Sequence, residues 1–160
     1  MAYYALLNNA NKVQKVIIGV DEDDTENLPS EFASWEEFYA NQEKYPKCKR
    51  TSYNTHGNKH LKGGTPFRAN FAGTNSIYDE ENDVFYEQSP YLYWELDTKE
   101  YIWKPPIPFP NDANGLLDQS KPLKYYVWSD DLYAIDNTKG WLLLATYTYN
   151  SETDTWDKDE

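Results

Sequence analysis

Cysteine is nearly absent. Cys48 stands alone among 160 residues, so no disulfide can close within the chain. Methionine also occurs once, and histidine only at His56 and His60. Apolar runs such as Val16-Ile17-Ile18 and Trp141-Leu142-Leu143-Leu144-Ala145 fall far short of the about 20 residues that a membrane-spanning helix needs. The opening Met1-Ala2-Tyr3-Tyr4 lacks the basic and apolar regions of a signal peptide, so synthesis and folding in a cytosol-like compartment are expected. Positive charge is in deficit: 15 Lys and Arg stand against 27 Asp and Glu, giving a net charge of -12 and a pI near 4.5. Such a chain repels nucleic acid and anionic membrane surfaces and suits a soluble protein or one that docks on a basic patch. Hydrophobic residues make up 39% and mean hydropathy is -0.90, too polar for a thick core.

Aromatic residues fill part of that gap. They make up 17% of the chain, with 15 Tyr and 6 Trp, and each ring buries a large area while keeping a polar tip. Five times an aromatic or apolar strand meets an Asn/Asp cluster and resumes as another. The copies are Tyr3–Leu7 with Asn8, Asn9 and Asn11 before Val13; Ile77-Tyr78 with Asp79, Asn82 and Asp83 before Phe85-Tyr86; Tyr93–Leu96 with Asp97 before Tyr101–Trp103; Tyr125–Trp128 with Asp130 and Asp131 before Tyr133; and Tyr147–Tyr149 with Asn150 and Asp154 before Trp156. Asn and Asp tolerate left-handed backbone and close tight turns, and alternating aromatics fit a pleated, half-buried surface. The pattern predicts a mainly β fold of successive antiparallel hairpins, forming a small sheet or sandwich with long loops. It predicts a single domain over 1–149, with a possible N-terminal part at 1–48, a hairpin-rich remainder at 77–149, and a frayed acidic tail at 150–160.

One short amphipathic helix is expected at about 34–44. Ser34 and Glu37 form a capping box, Trp35, Phe38 and Tyr39 share a face, and Pro46 ends the segment. Residues 50–76 carry glycine and polar residues with little periodicity, which predicts a long loop ordered by contact with another subunit. Phe67 and Phe71 are its expected anchors, and Arg68 the residue that pairs with a partner carboxylate. The run Lys104–Pro110 must be extended, either as a polyproline ligand or as an arm packed on tyrosines. Residues 111–122 read as a linker.

No pattern in the chain requires chemistry. His56 and His60 stand four apart, but Gly57 and Asn58 between them oppose a helix and the Glu of a zinc-protease motif is missing. Gly63-Gly64-Thr65 matches no phosphate-binding loop, and Asp21–Asp24 lacks the Gly and distal Glu of a calcium loop. The expectation is no enzyme, no catalytic residue, no metal and no cofactor. Exposed Trp and Tyr on hairpins serve two other purposes: stacking on sugar rings, or anchoring protein interfaces. Tyr91, Trp94 and Trp103 are the expected interface rings.

Several segments resemble small proteins of tailed marine and freshwater phages, notably cyanophages. They are Lys49–Gly57, Gly63–Gly73, Tyr78–Tyr86, and Pro90–Leu96 leading to Trp103-Lys104-Pro105-Pro106-Ile107-Pro108-Phe109-Pro110-Asn111-Asp112. That group shows a W-x-x-P-x-P-x-P-x-D run and then a short Y-x-W ending, here Tyr126-Val127-Trp128. Leu92 and Tyr93 depart from the pattern, and Leu132–Glu160 extends beyond it. The resemblance implies a virion-associated structural protein with no catalytic residue to carry over. Its expected partners are phage capsid or tail proteins, with a homo-oligomer also possible. The expected role is an accessory capsid decoration subunit binding through aromatic hairpins and the 50–76 loop. The alternatives are a tail-associated component, a host-glycan recognition module, or a cytosolic phage protein acting on a host factor.

Overall fold

The computed structural model describes residues 1–113 and 119–160. Residues 114–118, within the expected linker 111–122, lie outside the described residues. The chain is mainly β, built from antiparallel hairpins, and divides into two compact units. Unit 1 comprises Met1–Ser89 and Leu96–Lys104, and unit 2 comprises Pro90–Glu95 and Pro105–Glu160. The chain passes between the units at Pro90, at Leu96 and at Pro105. Proline removes a backbone donor and fixes φ, so strands end there readily.

Unit 1 is built on β1 (Ala2–Leu7), which pairs antiparallel with β2 (Val13–Gly19) on one side and β3 (Lys47–Thr51) on the other. Asn8 and Asn11 close the first turn: the Asn8 side chain accepts from the Ala10 and Lys12 amides, both at 3.0 Å, and Asn11 is left-handed at φ 58°. Because β1 is central, both its faces must be covered. Ala2, Tyr4 and Leu6 meet helix α1 (Trp35–Glu43) through Trp35 and Tyr39. Ser34 caps that helix by accepting from the Glu37 amide at 3.2 Å. Its end comes earlier than Pro46, at Lys44, which turns left-handed at φ 59° and returns its amide to the carbonyls of Ala40 and Asn41. Gly19 is required where Tyr39 crosses β2, since a Cβ there would sit 2.6 Å from the ring.

Ala5 and Leu7 on the opposite face of β1 pack with Val13, Ala72, Tyr78 and Phe85. This second layer takes in part of the segment 50–76. The loop contains a small hairpin, β4 (Thr55–His56) with β5 (Lys59–His60), and it is held by its own chain. Buried Asn70 accepts from the Gly57 amide at 2.8 Å and donates to the carbonyls of Phe85 and Tyr101 at 2.8 and 3.0 Å. The Thr51 hydroxyl accepts from the Ala72 amide at 2.8 Å, and that of Thr55 from the Phe67 amide at 3.1 Å. Buried backbone donors are thus satisfied by side chains where no ladder exists. Hairpins β6 (Ile77–Asp79) with β7 (Val84–Tyr86), and β8 (Glu95–Asp97) with β9 (Ile102–Lys104), complete the order of strands.

Unit 2 is a three-stranded antiparallel sheet in the order β10 (Leu123–Trp128), β11 (Trp141–Asn150), β12 (Thr155–Lys158). Two expectations fail here. Asp130 and Asp131 do not form a hairpin turn: the Ser129 hydroxyl accepts from the Leu132 amide at 3.2 Å and starts a one-and-a-half-turn helix, α2 (Asp130–Ile135). Ser before two aspartates is a helix-start signal that the hairpin rhythm concealed. The acidic tail is not frayed either, since Thr155–Lys158 pairs with Tyr147–Asn150. Asp154 makes the turn at φ 56°, and Tyr149 packs on Trp156 with centroids 5.4 Å apart.

Candidate interaction surface

Arg68 follows directly from the second layer of unit 1. It and Ala69 both adopt left-handed backbone, φ 50° and 61°, at a cost of about 1 kcal/mol each that the surrounding bonds offset. The Arg68 Nη1 donates to Glu36 Oε1 at 2.6 Å and to the Arg50 carbonyl at 2.8 Å, and its Nε lies 2.7 Å from Asp83 Oδ1. That Nε is in ion-pair reach but not aligned for a hydrogen bond, as is the Arg50 Nε beside Glu22. Burial opposes the charge on Arg68, yet the Glu36 and Asp83 carboxylates outweigh it and raise its pKa. The Phe67 ring meets both guanidiniums, its centroid 3.8 Å from that of Arg50 and 4.9 Å from that of Arg68. The carboxylates paired with Arg68 therefore belong to its own chain. Beside this network, Tyr4, Glu22, Leu28, Trp35 and Glu36 line a cavity of about 190 Å³. Both carboxylates already engage arginines, so a cationic ligand would have to displace a guanidinium. Burial pushes Glu22 above the ordinary glutamate range, and Arg50 offsets only part of that rise.

The other expected interface rings also pack within their own units. Phe71 meets Tyr3 and Tyr53 edge-on at 5.4 and 5.5 Å. Trp103 donates to the Glu87 carbonyl at 2.7 Å and faces Tyr86. Trp94 and Tyr91 lie 5.0 Å apart, and Trp94 joins a cluster with Trp128 and Trp141 at 6.2 and 6.1 Å. Phe109, from the proline-rich arm, closes that cluster 4.9 Å from Trp141, whose indole donates to the Ile107 carbonyl. The arm thus packs on aromatics of its own unit. Gly140 is required beside Trp128, because a Cβ there would overlap that ring.

Cross-strand register divides the unit 2 sheet into two faces. Trp128, Trp141, Tyr126 and Leu143 share one, and the aromatic arm covers the ring end of it. Tyr125, Val127, Leu142, Ala145 and Tyr147 share the other. There Tyr125 is 55% and Leu142 42% exposed, while Leu143 and the bulged Leu144 stand at 47% and 56%. Three consecutive leucines in a strand would be read as fully buried; here all three are exposed, and among the described residues no helix or second sheet of unit 2 lies over them. These residues are missing from the rings singled out above. The signal that marked them was Trp141–Ala145 itself, too short for a membrane and too apolar for an edge.

The remaining candidates resolve into structural roles. His60 Nδ1 accepts from the Lys62 and Gly64 amides at 3.2 and 3.0 Å, so Gly63-Gly64 wraps an imidazole. His56 pairs across the hairpin with Lys59 and His60 with Thr55, which sends the two imidazoles to opposite faces. Among the described residues no three His, Cys, Asp or Glu side chains are grouped to hold a metal. Cys48 is buried, and burial pushes its thiol up to about 12. No family model, curated protein or solved structure matches the chain.

Proposed function

We propose that this protein is a non-enzymatic accessory subunit of a phage particle, a capsid decoration protein that docks through the uncovered sheet of unit 2. One observation carries the reading: Leu142 and Tyr125 are exposed on one face of the sheet, beside the half-exposed Leu143 and Leu144 of the same strand, and among the described residues no second layer of unit 2 covers that face. Contiguous exposed apolar surface rimmed by polar residues marks an interaction site. A stable contact needs roughly 800 Å² per partner, more than Leu142 and Tyr125 alone offer and within reach of the whole sheet face. The net charge of -12 favours a basic surface on the shell and keeps decorated particles apart. The phage-like segments quoted above supply the setting; they bear on the particle and not on its docking residues.

Quantifying the protein in purified particles tests this reading. Hundreds of copies are expected, and the double variant Leu142→Asp, Tyr125→Ala should fall off while its melting temperature stays unchanged. Absence of the wild-type protein from particles overturns the proposal. The Tyr149–Trp156 ring pair beside Asp154 supports one other reading, a sugar-stacking site for host recognition. Full occupancy of the variant on particles, with glycan binding abolished by Trp156→Ala, would favour that reading.

A further inference from the structure

Register extends the open face of unit 2 well beyond its two most exposed residues. Leu142 pairs with Val127 and Ala145 with Tyr125. Further along, Tyr147 stands between Leu123 and Lys158, and Tyr149 pairs with Trp156. Alternation along the strands puts all of these side chains on one side of the sheet. Lys158 is their one charged member and none is Asp or Glu, in a chain whose net charge is -12. The carboxylates around the sheet go elsewhere. Asp157, opposite Thr148, accepts from the Asn150 side chain at 2.9 Å on the other face. Asp159 accepts from the Thr148 hydroxyl at 2.9 Å, and Asp112 engages Lys124 and Tyr126, all on that same side. Asp154 lies in the turn, held by the Tyr149 hydroxyl.

We propose that free copies of this protein pair through this face, sheet on sheet about a two-fold axis, and that the pair must open before the protein docks. The pairing regulates the docking face of the proposed function and rests on that reading. Charge chooses the occupant. A face without carboxylates is complementary to itself: two copies bring no like charges together at its centre, and Lys158, on the last strand, keeps its ammonium at the rim. Shape points the same way. Two twisted antiparallel sheets pack about 10 Å apart with their strands within about 30° of each other, so each copy supplies the layer that the other lacks. A two-fold axis brings the same patch of both copies together and closes the assembly at two. The paired side chains reach the roughly 800 Å² per copy of a stable interface only with their polar rim included. The net charges of the two bodies repel as well, so the pair opens and exchanges readily. Pairing hides an apolar face from unrelated proteins until a tighter contact replaces the second copy.

The test uses the full chain. Sedimentation equilibrium between about 1 and about 500 µM should show monomer and dimer in exchange. Added salt should tighten the pair, because it screens the net charge of each copy and leaves the neutral contact intact. In ¹⁵N spectra, shifts that depend on protein concentration should concentrate in β10, β11 and β12. The double variant Leu142→Asp, Tyr125→Ala should weaken pairing at least tenfold, and Leu142→Lys should do the same with the opposite charge; both positions are exposed, so the fold is retained. A protein that stays monomeric throughout, a pair that salt loosens, a pair that neither variant weakens, or shifts confined to unit 1 overturns the proposal. Particle attachment is read separately. Above the dissociation constant of the pair it should follow the square root of total protein, because only the monomer docks. Attachment in direct proportion to total protein would mean that the pair need not open. If Leu142→Asp, Tyr125→Ala detaches the protein while the free wild-type chain is monomeric, the docking face stands and pairing falls. If the protein is absent from particles, the phage role falls and sedimentation still decides the pairing.

Discussion

The two units use the same hairpin vocabulary and reach opposite ends. Of the 15 buried hydrophobic residues among those described, only Trp128 belongs to unit 2, whereas eight of the twelve exposed large hydrophobics do. In unit 1 the central strand is covered twice, by helix α1 on one face and by residues 55–86 on the other. In unit 2 the aromatic arm covers part of one face, and Leu142 and Tyr125 stay outside. A sheet needs a layer on each apolar face. The unit that builds both layers from its own chain becomes a scaffold, and the unit that does not is left with a surface to offer.

Core truncation should separate the units most sharply. Leu6→Ala and Phe85→Ala, both at fully buried positions, should cost about 2–5 kcal/mol in chemical denaturation, against less than about 0.5 kcal/mol for Leu143→Ala. Equal losses at the three sites would erase the contrast between a filled core and an open face. Labelling offers an independent probe. Cys48 should resist a thiol-directed alkylating agent in the native state, because it is buried and its thiol is held near 12, and react once unit 1 opens. Rapid native labelling would mean that β3 opens far more easily than its packing implies.

The second layer of unit 1 depends on polar side chains, and its removal should cost less. Asn70→Ala strands the Gly57 amide and the Phe85 and Tyr101 carbonyls, so a loss of about 1–3 kcal/mol with new protease cleavage between 55 and 73 is expected. Arg68→Lys should not restore what Arg68→Ala loses, because one ammonium cannot bridge Glu36, Asp83 and the Arg50 carbonyl together. Full rescue by lysine would reduce the clamp to a simple charge effect.

The smallest effect concerns pH. Eight carboxylates are held below their ordinary range: Asp21, Asp79, Glu80, Asp97, Glu100, Asp112, Asp130 and Asp136. Asp136, bonded to the Thr138 hydroxyl and amide, lies at about 2. A depressed carboxylate favours the folded state above its unfolded pKa and loses that contribution as pH falls through the folded value. Glu22 runs the other way, raised by burial, and its ionisation costs stability as pH rises. The eight outnumber the one, so the melting temperature should fall as pH drops from about 4.5 to about 2, the range set by these groups' ordinary and depressed values. All eight sit at the surface, so 1 M salt should flatten most of the change. A melting temperature constant across that range would mean that these bonds hold in the unfolded chain as well.

Local signals carried much of the fold. Asn11, Asp83 and Asp154 are left-handed at three hairpin turns, as residues that tolerate that backbone should be, and the Ser34 box placed α1 to within a residue. These features depend on neighbours a few positions away, so the order of residues along the chain suffices for them. What covers a sheet depends on residues far apart. Arg68 meets Glu36 across 32 positions and Asn70 meets Tyr101 across 31, contacts of the glycine-rich loop that no local rule connects. The same holds for Trp141–Ala145, which reads as a buried strand. Burial belongs to whatever lies on top of a residue, and only the tertiary structure shows that Leu142 is left exposed. Chain order alone thus settled composition, charge, turns and the helix start; the long-range contacts decided which aromatics became core and which apolar face was left open.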